Sequence, residues 1–185
     1  MCYVTLRNDQ LMKSKQSTCR LYILCGLPFA GKSTVARALH ERFSYTIVSI
    51  DAINGERGLG LNAAPITPHE WDETYAEGYD RLAAALSAGA TVLFDAPNYT
   101  RAQRDDLRRI AAVHGVSACV LYLAVPAAVC RERWQRNRQT SARYDVRDED
   151  VAEVLTRFEP PEADERVLYF DQSEPLADWI KRVFG

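Results

Sequence analysis

No apolar run in this 185-residue chain approaches the length of about 18 residues that a membrane-spanning helix needs. The first residues lack the apolar core of a secretion leader. Neither sign of charge dominates. Lys and Arg number 23 against 25 Asp and Glu, a net charge of −2. The global basic field that drives nucleic-acid binding is therefore missing. The three histidines stand apart from any cluster of metal-ligand type. Cysteine is sparse: five residues, an odd number, with no C-x-x-C pair. Cys25 and Cys119 lie in apolar runs and read as small buried thiols rather than disulfide or metal partners. The expectation is a reduced, cytoplasmic protein. A hydrophobic content of 47% suits one domain with a sizeable core.

What is present centres on Gly26-Leu27-Pro28-Phe29-Ala30-Gly31-Lys32-Ser33-Thr34, a match to the phosphate-loop pattern G-x-x-x-x-G-K-[ST]. The apolar run from Arg20 to Cys25 reads as a strand. Ser33 to Phe43 reads as a helix, so the motif has its expected strand–loop–helix setting. Gly26 and Gly31 permit backbone angles and close approach that a side chain blocks. Loop N–H groups and the helix N-terminus present positive charge to phosphates. Lys32 is then the candidate for the β and γ phosphates, and Ser33 for Mg²⁺.

Further along, the β-branched run 45–50 ends at Asp51. An aspartate at the carboxyl end of a strand faces the ligand crevice, where it accepts a hydroxyl proton or helps hold Mg²⁺; capping the next segment is the plainer role. Residues 52–68 read as a loop rich in Gly and Asn, with Arg57 as its anion-binding candidate. Thr67, Pro68 and Glu70 form a capping box that opens a helix to about Ala88, whose Trp71, Tyr75, Leu82 and Leu86 stripe reads as core. The strand 91–95 ends in Asp95, the second acidic residue expected near Mg²⁺. Asn98, Arg101 and Arg104 follow it on the acceptor side, and residues 101–114 read as a helix.

Val116 to Val125 is apolar almost throughout, as in a parallel strand buried on both faces. Four arginines then fall within eight residues (Arg131, Arg133, Arg136, Arg138), followed by a polar loop and a helix from Asp148. This order predicts a phosphate-covering lid at about 131–150. Arg166 to Phe170 is the last strand, and the turn Asp171-Gln172-Ser173 lies where adenine is expected, with no specific residue in it. Residues 1–19 read as a flexible extension and 20–185 as one domain.

With these parts in place the chain resembles the P-loop kinase family of polynucleotide 5′-hydroxyl kinases, zeta toxins and chloramphenicol phosphotransferase, within it the small ATP-binding protein kinases. The resemblance spans about Arg20 to Gly185. It rests on the loop from Gly26 to Thr34, on Asp51, on Asp95-Ala96-Pro97-Asn98-Tyr99-Thr100-Arg101 with Arg104, on the arginine-rich lid, and on Arg157-Phe158-Glu159-Pro160-Pro161. It implies an α/β/α sandwich with a parallel five-stranded sheet in the order 2-3-1-4-5 and a helical lid. It also implies ATP and Mg²⁺, with phosphoryl transfer to an alcohol. Asp51 would be the general base. Lys32, Arg133 and Arg136 would act on the transferring phosphate. Gly26 to Thr34 with Arg133 would hold ATP, and Ser33 and Asp95 the metal. Asp51, Arg57, Asn98, Arg101 and Arg104 would meet the acceptor.

One position departs from that pattern. Polynucleotide kinases place an arginine three residues after the catalytic aspartate, where this chain has Asn54. A small-molecule or nucleotide acceptor is therefore preferred over nucleic acid, on a monomer or homodimer. The alternatives are a non-enzymatic ATP-dependent switch or binding module, and a nucleic-acid 5′-hydroxyl kinase. The absence of N-K-x-D argues against a GTP switch, and the absence of L-S-G-G-Q against an ABC-type ATPase.

Overall fold

The apolar runs of the chain become β1 (Leu21–Cys25), β2 (Thr46–Ser49), β3 (Val92–Asp95), β4 (Ala118–Leu123) and β5 (Val167–Phe170). The structure is a computed structural model that describes residues 19–60, 64–140 and 146–185. Every described strand pair is parallel, and the order is β2-β3-β1-β4-β5, as the resemblance implied. β1 is central and wholly buried. Alternate side chains of a strand point to opposite faces. Accordingly Tyr22 and Leu24 enter one apolar core, and Leu21 and Ile23 the other. That two-sided burial is why the run is apolar without alternation.

Helices cover both faces. They are α1 (Lys32–Phe43), α2 (Ile50–Glu56), α3 (Pro68–Ser87), α4 (Arg101–Val113), α5 (Ala127–Thr140), α6 (Asp148–Arg157) and α7 (Leu176–Phe184), with a short 3₁₀ turn at Ala163–Glu165. Residues of α1 and α7, including Leu39 and Trp179, pack in the first core. Leu82 of α3 and Leu107 of α4 pack in the second. α3 and α4 both begin with complete capping boxes, Thr67 with Glu70 and Thr100 with Gln103. Among the described residues no helix is long and apolar enough to cross a membrane. The expected extension at residues 1–19 lies outside the described residues except for Cys19, as do residues 141–145 of the expected lid.

Two expectations are corrected. Residues 52–68 do not form one loop, because Ile50–Glu56 is helical. Ser49 caps this helix by accepting from the Ala52 N–H, and Ile50 and Ile53 are buried beneath it. α3 comes close enough to take them only because residue 78 is glycine: a Cβ there would lie 2.7 Å from Ile50 Cδ1. Packing thus overrides the weak helix propensity of Asn54 and Gly55. The second correction concerns cysteine. Cys119 is not a free thiol; it is disulfide-bonded to Cys19, with Cα atoms 5.9 Å apart. The parallel register sets Tyr22 beside Cys119, so the residues just before β1 pass the start of β4. Sequence separation hides that neighbourhood. Cys25 and Cys130 are buried free thiols.

Candidate active site

The phosphate loop joins the carboxyl end of the central strand to the N-terminus of α1. Gly26 has φ of 146°, and a Cβ there would lie 2.9 Å from the Leu123 carbonyl oxygen. Gly31 caps α1 in the left-handed region at φ 100°. Both positions require glycine for these reasons. The amide of Ala30 bonds to Leu27 O, and those of Thr34 and Val35 to Gly31 O, so the loop keeps its own shape. Lys32 Nζ donates to Gly26 O and Leu27 O, both at 2.9 Å. Desolvation lowers the Lys32 pKa, while the negative charges of Asp95 and then Asp51 oppose that shift. The ammonium therefore lies within the field of both carboxylates.

Asp95 ends β3, and Asp51 lies two residues past the end of the adjacent β2. Ser49 of β2 pairs in register with Asp95 of β3. Asp95 is buried, and Asp51 is exposed in the first turn of α2. Among the described residues, no cluster of three His, Cys, Asp or Glu side chains forms a self-sufficient metal cage. Ser33 and Asp95 offer a hydroxyl and a carboxylate, hard oxygen donors that suit Mg²⁺ when phosphate and water complete its shell.

On the other side of the loop lies an open groove of about 530 Å³, lined in part by Thr34, Arg133, Arg136, Asn137 and Gln172. Arg133 crosses from α5, the helix expected to form a lid. It donates to Phe29 O at 3.3 Å, to Ala30 O at 3.5 Å and to Gln172 Oε1 at 2.6 Å. Gln172 Nε2 donates to Ala30 O at 2.9 Å. Arg136 faces the same groove, paired with Glu132 and 69% exposed. Trp134 Nε1 donates to Val146 O and so ties α5 to the segment leading into α6.

Gln172 and Asn137 were not among the residues nominated from sequence. Gln172 carries no motif, and its only special property is a positive φ of 64°, which sequence does not display.

The residues nominated for the acceptor have protein partners. Arg57 donates to Glu70 O and Thr74 Oγ1 and pairs with Glu73, joining α2 to α3. Asn98 is 1% exposed and donates to Leu24 O, pinning the turn after β3 to β1. Arg101 pairs with Glu162 and Asp164. Arg104 is wholly buried, bonded to Glu165 at 2.7 Å and to Asn98 O at 3.1 Å. The two arginines hold the segment 162–165 that leads into β5. A buried guanidinium with a buried carboxylate is a structural clamp, since neither ion can be left unpaired there.

A glycine-bounded phosphate loop, two strand-end carboxylates and an arginine-bearing helix over the loop define a P-loop nucleotide-binding protein of kinase fold. A family model described as "AAA domain" matches residues 21–161, and the chain belongs to that family. Among curated proteins, the Arabidopsis thaliana "Protein KTI12 homolog" is 30% identical over 146 residues, which is 77% of this chain and 48% of that protein. The chain thus spans about half the length of that relative. The Chaetomium thermophilum Kti12 structure, in complex with ADP-AlF3, has 20% identity and a TM-score of 0.65, covering 89% of this chain and 95% of that one. An unliganded sugar kinase from Janibacter sp. HTCC2649 has 22% identity and a TM-score of 0.65, covering 90% and 93%. At these identities the structural likenesses show the fold.

Proposed function

We propose that this protein transfers the γ-phosphoryl group of ATP to a hydroxyl of a small-molecule or nucleotide acceptor. The observation that carries this reading is the placement of two carboxylates, Asp51 and Asp95, whose charges both reach Lys32. Two acids of unequal burial divide naturally into two roles. Buried Asp95, with the Ser33 hydroxyl, is suited to Mg²⁺. The ion, when bound, would neutralise charge on the phosphate oxygens. Exposed Asp51 is left to orient the acceptor hydroxyl and take its proton.

Lys32 gives up its bonds to Gly26 O and Leu27 O to reach phosphate oxygens. Arg133 leaves the Phe29 and Ala30 carbonyls for the charge that develops on the transferring group, with Arg136 beside it. The groove next to Gln172 takes the nucleoside. That some structural neighbours are named as sugar kinases supports a hydroxyl acceptor. The test is transfer from γ-labelled ATP across nucleosides, sugars, antibiotics and 5′-hydroxyl oligonucleotides. Labelled product with any of them supports the reading, and hydrolysis alone across the whole panel overturns it.

A second reading, an ATP-driven switch or binding module, is favoured by one observation. The curated relatives carry the name Kti12 rather than that of a kinase. It predicts ATP turnover that is unchanged by every member of the panel.

A further inference from the structure

The register of the central strands stops one step short of Asp95. β1 and β3 pair at Leu21 with Val92, Tyr22 with Leu93 and Ile23 with Phe94. The next step would set Leu24 opposite Asp95, and the ladder does not take it. On the other side of β3 the pairing does continue, to Ser49 with Asp95. β1 and β3 therefore part at the level of the carboxylate. A parting at the carboxyl ends of parallel strands is where a ligand crevice opens.

Asn98 spans that gap. Its amide Nδ2 donates to Leu24 O at 2.6 Å, and to Ala96 O at 3.3 Å within its own turn. A side chain thus bonds the Leu24 carbonyl where the ladder to β3 has ended. The next two residues of β1 and its loop extend the seam. Cys25 Sγ donates to Asn98 O at 3.4 Å, and Gly26 N–H to Pro97 O at 3.4 Å. From the opposite side the buried Arg104 donates to Asn98 O at 3.1 Å. Asn98 holds φ at 46°, in the left-handed region. Glycine, aspartate and asparagine enter that region most readily. Of the three, only asparagine also brings an amide donor: aspartate lacks the hydrogens and glycine lacks the side chain.

What the seam fixes is a separation. Asp95 ends β3, while β1 runs on through the phosphate loop to Ser33 in the first turn of α1. The carboxylate and the hydroxyl thus ride on the two strands that part. Mg²⁺ takes its oxygens at roughly 2.0–2.1 Å in a near-ideal octahedron, whereas Ca²⁺ accepts about 2.3–2.6 Å in looser geometry. We infer that Asn98 is a positioning residue for the metal. By tying the turn after Asp95 to Leu24, it holds the Asp95 carboxylate and the Ser33 hydroxyl at a separation that one Mg²⁺ fits. This rests on the assignment of Ser33 and Asp95 to Mg²⁺, and it gives Asn98 a part in the metal site rather than at the acceptor.

The test is calorimetric titration of the full chain with ADP in Mg²⁺, in Ca²⁺ and in EDTA. In the native protein Mg²⁺ should tighten ADP binding, and Asp95→Asn should remove most of that gain. Asn98→Gly accepts the backbone angle and deletes the amide. It should cut the gain about tenfold, the scale of a lost support behind a metal ligand. Its affinity in EDTA should match the native value, which also shows that the variant is folded. The gain from Ca²⁺ should fall less than that from Mg²⁺, because slack costs the more rigid ion more. Asn98→Ala should repeat these losses and also melt at a lower temperature, since alanine resists a positive φ. An undiminished Mg²⁺ gain in Asn98→Gly, an equal loss in EDTA, an equal loss for both ions, or an Asn98→Gly chain that does not fold overturns the inference and leaves the metal assignment standing. If Asp95→Asn keeps the gain, the metal assignment itself fails, and the inference with it.

Discussion

Gln172 Oε1 accepts from Arg133 at 2.6 Å while its own Nε2 donates to Ala30 O at 2.9 Å, so one side chain holds an arginine of α5 against the phosphate loop. Arg133→Ala should lower phosphoryl transfer by about 10³-fold, the scale of a lost transition-state arginine. Gln172→Ala should lower it less. Because Gln172 acts here through Arg133, the double variant should be no slower than Arg133→Ala alone. Turnover of the two single variants and the double variant decides this, and additive losses would separate the two roles.

Asp51→Asn keeps the shape of the side chain and removes its basicity. ATP affinity should be unchanged, and transfer to the true acceptor should fall by about 10²-fold or more. Full activity in that variant would rule out Asp51 as the base.

Arg104→Met leaves Glu165 buried without its partner. Urea unfolding should show a loss of about 3–5 kcal/mol. The double variant Arg104→Met with Glu165→Leu should recover much of it, since an apolar pair carries no stranded charge. An Arg104→Met protein of full stability would show that the pair is dispensable.

Burial pushes the Cys25 thiol from an ordinary value of 9.0 up to about 11, with Arg104 and then Lys32 opposing the shift. The folded state therefore keeps a proton that the unfolded chain releases first. Stability from this group is complete below pH 9 and declines as pH rises towards 11, by roughly 3 kcal/mol in all. Unfolding midpoints measured from pH 8 to 11 should fall in the native chain and fall less in Cys25→Ala. Equal slopes would assign the decline to other groups.

Reduction of the Cys19–Cys119 bond frees a closed loop with a sequence separation of 100 residues. The chain-entropy scale for a loop of that size gives a loss of about 3–5 kcal/mol. Melting with and without reductant measures it, and Cys119→Ser should melt like the reduced protein whether reductant is added or not.

The sheet and both its faces could be read from the chain because burial writes itself locally. Five apolar runs, two capping boxes and a glycine loop each act over a few residues. The strand order came from the family resemblance rather than from those runs. What escaped the sequence was long-range. Ile50–Glu56 is helical because Gly78, far along the chain, makes room for Ile50. Arg57, Arg101 and Arg104 looked like ligand groups because an arginine on a crevice-side element carries the same letter whether it meets a phosphate or a glutamate. Their carboxylate partners on other elements lie between 16 and 63 residues away.

The Cys19–Cys119 bond also divides the molecule in another sense. It closes a covalent ring that contains the phosphate loop, Asp51 and Asp95, and leaves α5, α6, β5 and α7 outside. A pulling force applied upstream of Cys19 and downstream of Cys119 passes directly from one sulfur to the other. The ring bears no tension, so α5, α6 and the last strand unravel while the phosphate loop stays slack.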